Sequence, residues 1–427
     1  MGRDGQFPKG APDGRSSRGR GSMMTSKPCV LAINGGSSSI RFALYEAGGE
    51  PRRLLVGKVD RIGLGGTSLV AEDSEGAPLV ARRMTAGDHP AAAGFLLDWL
   101  GTRAEFASIK GAGHRVVHGM GHSAPERVTP RLLAELRRIT PYDPDHLPNE
   151  IRLIEACIKR HPGLAQVACF DTAFHRTMPP VARLLSIPWR YAAKGVERYG
   201  FHGLSYEFLM GELARAGGRA AANGRVILAH LGNGASLAAV LKGRSVDTSM
   251  GFTPAAGLVM SARSGDLDPG LLSFLARREK MTPAQFEQMV NHESGLLGVS
   301  GRSSDMRDLL ALEAGDRRAG LAVSLFCYQA RKWIGSYAAV LGGLDTLVFA
   351  GGIGENAPVI RERICQGLGF LGIALSRRRN EGSAAVISTP ASRVTVRVIR
   401  TDEELMIARS VCRALGLGGV PRRGTGR

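Results

Sequence analysis

Two segments of the chain repeat one pattern: an apolar run, a glycine turn, and a second run of small and apolar residues. They are residues 30–44 and 227–241, and an ungapped alignment of the two places Gly35 on Gly232. Neither copy has a helix-capping signal or a polar helical face, so each predicts a strand, a tight turn and a second strand. We interpret the repeat as an internal duplication.

Glycine turns of this kind indicate phosphate binding. Without a Cβ, the backbone N–H groups of the turn form a concave nest that an anion can approach. A third glycine turn, at Gly351 and Gly352, follows the apolar run 346–350, and a helix is predicted after it from Ala357. No Gly-Lys-Ser/Thr follows at the spacing that a P-loop requires. The pattern therefore favours a two-domain ATP-binding cleft.

Length and composition agree with a two-domain cytoplasmic protein. A chain of 427 residues exceeds the size at which one hydrophobic core keeps growing. No apolar run is long enough to span a bilayer, and the basic N-terminal segment lacks the apolar centre of a secretory signal. The 6 cysteines are far apart in the sequence, without a CxxC spacing, so we expect buried reduced thiols.

The net charge of +18 raises the question of nucleic-acid binding. Residues 1–27 and 417–427 are predicted to be disordered tails, and they carry a large share of the basic excess. The remaining basic residues are spread over the folded part, with no basic helix, aromatic-rich strand motif or zinc finger. We therefore expect no nucleic-acid partner and no membrane partner, and an anionic substrate would explain part of the charge.

Hydrophobic periodicity predicts further elements around these turns. Strands are predicted at 29–33, 40–45, 54–59, 79–84, 113–119, 166–170, 346–350 and 394–400. Helices are predicted at 90–103, at 130–139 with Thr129 as N-cap, at 148–160, at 402–415 with Thr401 as N-cap, and from Ser205 and Ala357. A long polar, glycine-rich connection at 247–270 indicates a functional loop.

Several motifs occur in order along the chain: the turn at Asn34, GHRVVHG from Gly113, FDTAFH from Phe170, RYGFHG from Arg198, HLGNGAS from His230, DTSMGFTP from Asp247, RSGDLDPG from Arg263, SSDMR from Ser303, GGIGEN from Gly351 and TDEEL from Thr401. Together they resemble the acetokinase family, in the acetate and sugar kinase, Hsp70 and actin superfamily. The resemblance covers residue 28 to about residue 415.

The resemblance implies an α/β fold of two duplicated ribonuclease H-like (actin-like ATPase) domains with a nucleotide cleft between them. The expected N-terminal domain comprises 28–171 plus 400–416, whose helix packs back on it, and the C-terminal domain comprises 172–399. The implied activity is the conversion of ATP and acetate to ADP and acetyl phosphate. The expected cofactor is Mg²⁺, which Mn²⁺ can replace, and the expected assembly is a homodimer.

The same resemblance implies the catalytic residues. A carboxylate with a reference pKa near ~4 is already ionised at pH 7, so its attack on phosphorus needs charge cancellation rather than a general base. Arg115 and Arg263 occupy the positions of the family's two active-site arginines. His202 corresponds to the histidine that donates to the transferred phosphoryl group, and Asp171 to the essential aspartate, for which capping the turn after its strand is the alternative. Val117, Phe201 and Pro254 match the pocket for the methyl group.

The remaining site residues are expected to bind MgATP. Asn34 and Glu403 resemble the metal-side ligands, although Glu404 is easily confused with its neighbour and a helix N-terminus alone would favour an acid there. The nucleotide-side residues are Arg41, His230, Leu231, Gly232, Asn233, Gly234, Asp305, Met306, Arg307, Gly352, Ile353, Gly354, Glu355 and Asn356. Among the other motif histidines, His146 is the strongest functional candidate.

The chain departs from the family pattern at four places, and two of them leave the acyl substrate open. Arg41 stands where lysine is usual, and Tyr206 stands where histidine is usual. Asp145 replaces a leucine expected in the methyl pocket. Ala255 and Ala256 replace a pair of larger residues, and the lost side-chain volume would make room for a longer acyl chain. Propionate or butyrate kinase is therefore the alternative within the family, and a non-catalytic ATP-binding switch like Hsp70 is the alternative outside it.

Overall fold

The computed structural model describes residues 27–36, 38–63 and 65–417. Both predicted tails fall outside this range except for their innermost residues, Lys27 and Leu417. Leu417 packs against the hydrophobic cluster between the two sheets. No helix within the described ranges is both long and apolar enough to cross a membrane.

The first sheet has eight strands in the spatial order β5-β4-β3-β2-β1-β6-β8-β7. In chain order they are β1 (Cys29–Gly35), β2 (Ile40–Glu46), β3 (Arg52–Asp60), β4 (Ser68–Asp73), β5 (Pro78–Arg83), β6 (Ile109–Val116), β7 (Glu126–Arg127) and β8 (Ala165–Phe170). The second sheet has five strands in the order β11-β10-β9-β12-β13. These are β9 (Arg225–Leu231), β10 (Ala235–Leu241), β11 (Arg244–Thr248), β12 (Thr346–Ala350) and β13 (Thr395–Val398).

The two sheets share the arrangement of their central strands, as the predicted duplication requires. In the first sheet a five-stranded antiparallel meander, β1 to β5, is extended by the parallel strands β6 and β8. In the second a three-stranded meander, β9 to β11, is extended by the parallel strands β12 and β13. Parallel strands need crossover connections, and helices supply them here. The predicted α/β fold is therefore the observed one.

The ungapped alignment of the two hairpins is wrong in register. It pairs Ala32 with Ala229, yet Ala32 packs between the two sheets together with Leu228, while Ala229 faces the opposite side of its sheet. The loops also differ in length, since 36–39 closes the first hairpin and 232–234 the second. Because side chains alternate faces along a strand, a single-residue offset exchanges the two faces.

The helices are α1 (His89–Gly101), α2 (Pro130–Arg138), α3 (Leu147–Arg160), α4 (Pro180–Arg183), α5 (Trp189–Ala192), α6 (Gly203–Asn223), α7 (Gly270–Glu279), α8 (Pro283–Gln288), α9 (Gly295–Ser300), α10 (Met306–Leu312), α11 (Arg317–Leu341), α12 (Gly351–Asn356), α13 (Pro358–Cys365), α14 (Arg377–Glu381) and α15 (Glu403–Leu415). Short 3-10 turns occur at Ala104–Ser108, Thr140–Tyr142, Ala173–Thr177 and Gly369–Leu371, and a π turn at Met289–Glu293.

Two helices lie between the sheets and connect them. Helix α6 follows the last strand of the first sheet in the chain but packs on β9, and α15 follows β13 but packs on β1 and β6. The two helices also contact each other. Their N-terminal ends lie close together, since the hydroxyl of Ser205 on α6 is 2.7 Å from that of Thr401 just before α15. Ser205 also contacts His230 on β9, and Glu403 on α15 contacts Asn34 on β1.

Two local expectations are corrected. The third glycine turn is itself helical, since α12 begins at Gly351, and the next helix begins at Pro358 rather than Ala357. Gly351 makes the bend in one residue with φ +75°, and a Cβ there would lie 2.7 Å from the carbonyl oxygen of Leu231. The cap of the last helix is Asp402 rather than Thr401, because the Asp402 carboxylate accepts from the N–H of Leu405 at 2.9 Å.

Candidate functional site

Both sheets contribute residues to a large cleft, and most of the predicted site residues line it. They are Asn34, Arg41, Arg115, Val117, Phe201, His202, His230, Gly232, Asn233, Gly234, Pro254, Arg263, Asp305, Met306, Arg307, Gly352, Ile353, Glu355, Asn356 and Glu403. The structure thus brings together residues that are far apart in the sequence.

Three predicted site residues do not line the cleft. Asp171 is fully buried behind Arg115. Leu231 is buried in the hydrophobic core of the second sheet, so only its backbone can serve the site. Gly354 is buried within α12, where its carbonyl accepts from Arg361 at 2.8 Å.

Arg115 and Asp171 are adjacent because neighbouring parallel strands end at the same edge of the sheet. Arg115 lies on β6, and Asp171 directly follows β8, whose Phe170 pairs with Val116. Nε and Nη2 of Arg115 donate to one Asp171 oxygen at 2.9 and 2.6 Å. Burial works against the charge on Arg115, but the Asp171 carboxylate outweighs it and raises the pKa of the guanidinium. Arg115 is therefore a fixed cation at the cleft wall.

Arg263 is a second cation in the cleft. Within the described residues it forms no ion pair, and its side-chain hydrogen bond is to His146, from Nη2 to Nε2 at 3.3 Å. Burial lowers the pKa of Arg263; the carboxylates of Asp143 and Asp145 act to raise it, and the positive charge of Arg115 lowers it further. Two neighbouring guanidinium groups that repel each other form a site suited to an anion.

His202 and His230 form a stacked pair beside the glycine turn of the second hairpin. Their ring centroids are 4.3 Å apart, with 23° between the planes. Each Nδ1 contacts a serine hydroxyl, Ser236 for His202 at 2.8 Å and Ser205 for His230 at 2.9 Å. Burial, together with His230 and the two arginines, lowers the pKa of His202 well below its ordinary value. His202 is consequently a neutral imidazole at pH 7.

The Nε2 atoms of both histidines face the turn. A Cβ added at Gly234 would lie 3.1 Å from Nε2 of His202, and one added at Gly232 would lie 3.8 Å from Nε2 of His230. His202 itself has φ +61°, an unusual conformation for a residue with a side chain. The backbone at the start of α6 therefore bends sharply where it aims this ring into the cleft.

Carboxylates gather where β1 meets the first turn of α15. The Asn34 amide donates to Glu403 at 2.8 Å and to Glu404 at 3.2 Å. Burial acts to raise the pKa of Glu403, but Arg115, His230 and the Asn34 hydrogen bond together lower it, so this carboxyl is ionised. Burial and the charge of Glu403 raise the pKa of Glu404.

Val117, Phe201 and Pro254 give one wall of the cleft an apolar surface. Asp145, expected in this pocket, is not among the described residues that line the cleft. It lies 3.8 Å from His292 and borders a small cavity that shares Gly36 and His146 with the cleft. Ala255 and Ala256 are likewise not among the described residues that line the cleft.

The nucleotide-side segments are stabilised by their own polar contacts. Asp305 caps α10 by accepting from the N–H of Arg307 at 2.8 Å, and the two side chains form an ion pair at 2.6 Å. Glu355 accepts from the N–H groups of Gly351 at 2.9 Å and Thr401 at 3.1 Å. The carboxylate of Glu355 thus joins the start of α12 to the segment before α15.

Several contacts at the site were missed from the sequence. Ser205, Tyr206 and Ser236 orient the two histidines, and Thr401 and Glu404 line the cleft. The spacing of four residues between His202 and Tyr206 was a usable signal, because such residues share one face of a helix. The contact of either residue with Ser236 had no sequence signal, since β10 lies far along the chain.

The sequence profile of the acetokinase family matches residues 29–409. An acetate kinase of Rhodopseudomonas palustris is 45% identical over 391 residues, which cover 90% of this chain and 98% of that protein. A propionate kinase of Citrobacter rodentium is 44% identical over 393 residues, with 90% and 96% covered. The crystal structure of Porphyromonas gingivalis acetate kinase superposes with a TM-score of 0.82 at 39% identity, covering 91% of this chain and 100% of that one.

Proposed function

Because the chain belongs to the acetokinase family, we propose that it transfers the γ-phosphoryl group of ATP to acetate. In this reaction a carboxylate oxygen attacks the γ-phosphorus in line, the bond to the β–γ bridging oxygen breaks, and acetyl phosphate and ADP are released. The transfer is direct and reversible. The observation that carries the proposal is the pair of cleft arginines, of which Arg263 lacks any carboxylate partner in the described structure.

The positive charges of the two arginines offset the repulsion between acetate and the phosphates of ATP. Arg115, fixed by Asp171, holds the carboxylate of acetate, with Val117, Phe201 and Pro254 around the methyl group. Arg263 contacts the equatorial oxygens of the phosphoryl group during its transfer. His202 donates to the same group from Nε2, and its neutrality leaves the proton on the ring throughout. No residue needs to remove a proton from the nucleophile.

The oxygen donors at Asn34 and Glu403 fit a magnesium ion. No group of three or more His, Cys, Asp or Glu side chains that could hold a metal occurs in the described part of the chain. Mg²⁺ commonly uses one or two carboxylates and completes its shell with water and substrate phosphates, so the ionised Glu403 is a suitable anchor. Bound there, Mg²⁺ would neutralise charge on the β- and γ-phosphates. Asn34 and Glu403 are the residues proposed to hold it.

We assign the nucleotide to the other side of the cleft. The glycine turn 232–234 with His230 faces the phosphates, and Arg41 lies at the same end. The residues proposed around the adenosine and the remaining phosphates are Leu231 through its backbone, Asp305, Met306 and Arg307, with 352–356. The corresponding domains are 28–171 with 400–416, and 172–399, which is supported by the packing of α15 on β1.

A propionate or butyrate kinase is the second candidate, since a propionate kinase is among the relatives of similar identity. The structure gives this candidate no further support, because Asp145, Ala255 and Ala256 lie outside the cleft lining. The test is steady-state kinetics with MgATP and acetate, propionate or butyrate. We expect the highest kcat/KM with acetate. A preference of more than about tenfold for propionate or butyrate, a difference of ~1.4 kcal/mol, would refute the acetate assignment.

The Hsp70-like alternative is tested with Arg263→Ala. A kinase loses acyl phosphate formation, which is trapped as the hydroxamate, whereas an ATP-binding switch has no acyl phosphate to lose. The proposal also includes the homodimer that the family resemblance implies and the cytoplasmic location that the composition predicts. Sedimentation velocity of the purified chain measures the oligomeric state directly, and a monomer at micromolar concentration would contradict the homodimer.

A further inference from the structure

We propose that Tyr206 is a positioning residue that fixes the tautomer of His202, through Ser236, so that Nε2 carries the proton towards the cleft. The inference rests on the proposed function only for its kinetic consequence. The hydrogen-bond chain itself is a property of the folded protein without substrate.

The three groups form a continuous buried chain. The Tyr206 hydroxyl lies 2.5 Å from Oγ of Ser236, and the same oxygen lies 2.8 Å from Nδ1 of His202. Tyr206 and Ser236 are both completely buried, and His202 is 8% exposed. Tyr206 and His202 lie one helical turn apart, while Ser236 is on β10. The chain thus joins the N-terminus of α6 to the second hairpin.

Only one direction of these hydrogen bonds satisfies every buried proton. A serine hydroxyl has a single proton, which it can donate to Tyr206 or to His202 but not to both. If Ser236 donated to Tyr206, the tyrosine proton would have no acceptor among the described residues. A buried donor without an acceptor costs about 1–3 kcal/mol. If Nδ1 of His202 also donated to Ser236, the serine proton would in turn have no acceptor among the described residues. Tyr206 therefore donates to Ser236, and Ser236 donates to Nδ1 of His202.

A neutral imidazole that accepts at Nδ1 must carry its proton on Nε2. This is the nitrogen that faces the glycine turn, 3.1 Å from the position of a Gly234 Cβ. Nη1 of Arg263 lies 3.9 Å from the same position, so a cation is close to Nε2. Such a charge favours a lone pair on Nε2 and therefore the Nδ1–H tautomer, which cannot donate from Nε2 to a phosphoryl oxygen. The chain from Tyr206 opposes that effect.

The first test is the tautomer of His202 in the whole unliganded protein, which needs no activity. Long-range proton–nitrogen correlation spectra distinguish Nε2–H, Nδ1–H and imidazolium rings, and the signal is assigned by its loss in His202→Gln. We expect Nε2–H at pH 7 in the native protein. A predominantly Nδ1–H or imidazolium ring would overturn the proposal, whether or not any variant folds.

The second test is Tyr206→Phe, with Tyr337→Phe as the matched control. Tyr337 is equally buried, but its hydroxyl has no hydrogen-bond partner among the described residues. In Tyr206→Phe we expect a new Nδ1–H population of His202 and a decrease in kcat of roughly tenfold, with both KM values within about twofold. Tyr337→Phe leaves the tautomer and kcat unchanged. An unaltered tautomer in folded Tyr206→Phe would refute the role of Tyr206.

Failure of this inference is distinguishable from failure of the proposed function. If the native chain forms no acyl phosphate from any short carboxylate, the proposed function fails, while the spectra still report the tautomer. If acyl phosphate forms normally and the tautomer is unaffected by Tyr206→Phe, the inference alone fails.

Discussion

Nη2 of Arg263 lies 3.3 Å from Nε2 of His146, a contact that joins the loop after β11 to the residue that precedes α3. A guanidinium has only donors, so Nε2 of His146 must accept. Nδ1 then carries the ring proton and donates to Asp143 at 2.8 Å. The direction of both hydrogen bonds follows from Arg263 alone, and the contact connects the two halves of the molecule across the cleft.

His146→Ala should reduce kcat more than it changes either KM. Among the described residues His146 is the side-chain partner of Arg263, which would lose that hydrogen bond and the orientation it gives. A hydrogen bond to a charged group is worth about 1.5–3 kcal/mol, so we expect a decrease of roughly 10- to 100-fold in steady-state kcat. The control is His292→Ala, a half-exposed histidine near Asp145. Equal effects of the two substitutions would contradict the positioning role of His146.

Asp171→Asn should lower both activity and stability. The amide cannot balance the charge of Arg115, and breaking a buried ion pair by changing one partner costs about 3–5 kcal/mol. We expect kcat to fall by roughly 100-fold or more, with a lower thermal midpoint by differential scanning fluorimetry. Arg137→Gln, which breaks an exposed ion pair with Glu155, serves as the comparison and should change neither. Retained activity in Asp171→Asn would indicate that the aspartate only caps its turn.

Gly234→Ala should impair catalysis with little effect on folding. Its Cβ would lie 3.1 Å from Nε2 of His202, which forces the ring to move by a few tenths of an ångström. Since a misplacement of about 1 Å can cost ~10²-fold, a decrease of roughly tenfold in kcat is expected. Gly335→Ala, on α11 with open space around it, should leave kcat unchanged and stabilise the helix slightly. Native kcat in Gly234→Ala would argue against a catalytic position for His202.

Glu150→Gln should remove a pH-dependent loss of stability. Burial, with the charge of Asp143, raises the pKa of Glu150 well above its reference value of 4.5. The folded state therefore holds this proton more tightly than the unfolded state, so stability is greatest below about pH 4.5 and declines as pH rises through the folded pKa. Glutamine, which can still accept from the N–H of Val117, avoids that decline.

The measurement for Glu150 is the thermal or urea midpoint of both proteins from pH 5 to 8. The free energy of unfolding of Glu150→Gln, relative to that of the native chain, should rise by up to ~1.4 kcal/mol per pH unit. Glu155→Gln on the same helix is the control, because its side chain is 38% exposed. A difference that stays constant across the pH range would refute the assignment.

Glu403→Gln should weaken the binding of magnesium. With the ionised carboxylate gone, the Mg²⁺ concentration for half-maximal rate should rise by roughly tenfold, and excess Mg²⁺ should restore part of kcat. Glu404→Gln should have a smaller effect, because the pKa of this neighbour is raised by burial and by Glu403. A larger effect of Glu404→Gln would exchange the proposed roles of the two residues.

The sequence predicted the duplicated hairpins, most helices and the fold class, because these depend on local periodicity and on glycine positions. Thr129 illustrates this, since its side chain caps α2 by accepting from the N–H of Leu132 at 3.2 Å. The register between the two copies was not predictable in this way. Loop length and strand pairing set it, and neither follows from aligning two short segments without a gap.

The residues proposed for the site were likewise named from motifs, but their partners were not. The sequence by itself determined which chemical groups are present: Arg115, Arg263, His202 and the acids before α15. Only the tertiary structure decided that Asp145 lies outside the cleft, that His146 reaches Arg263, and that Ser236 connects Tyr206 to His202. Such contacts depend on how elements distant in the chain pack, and local propensity carries no information about that packing.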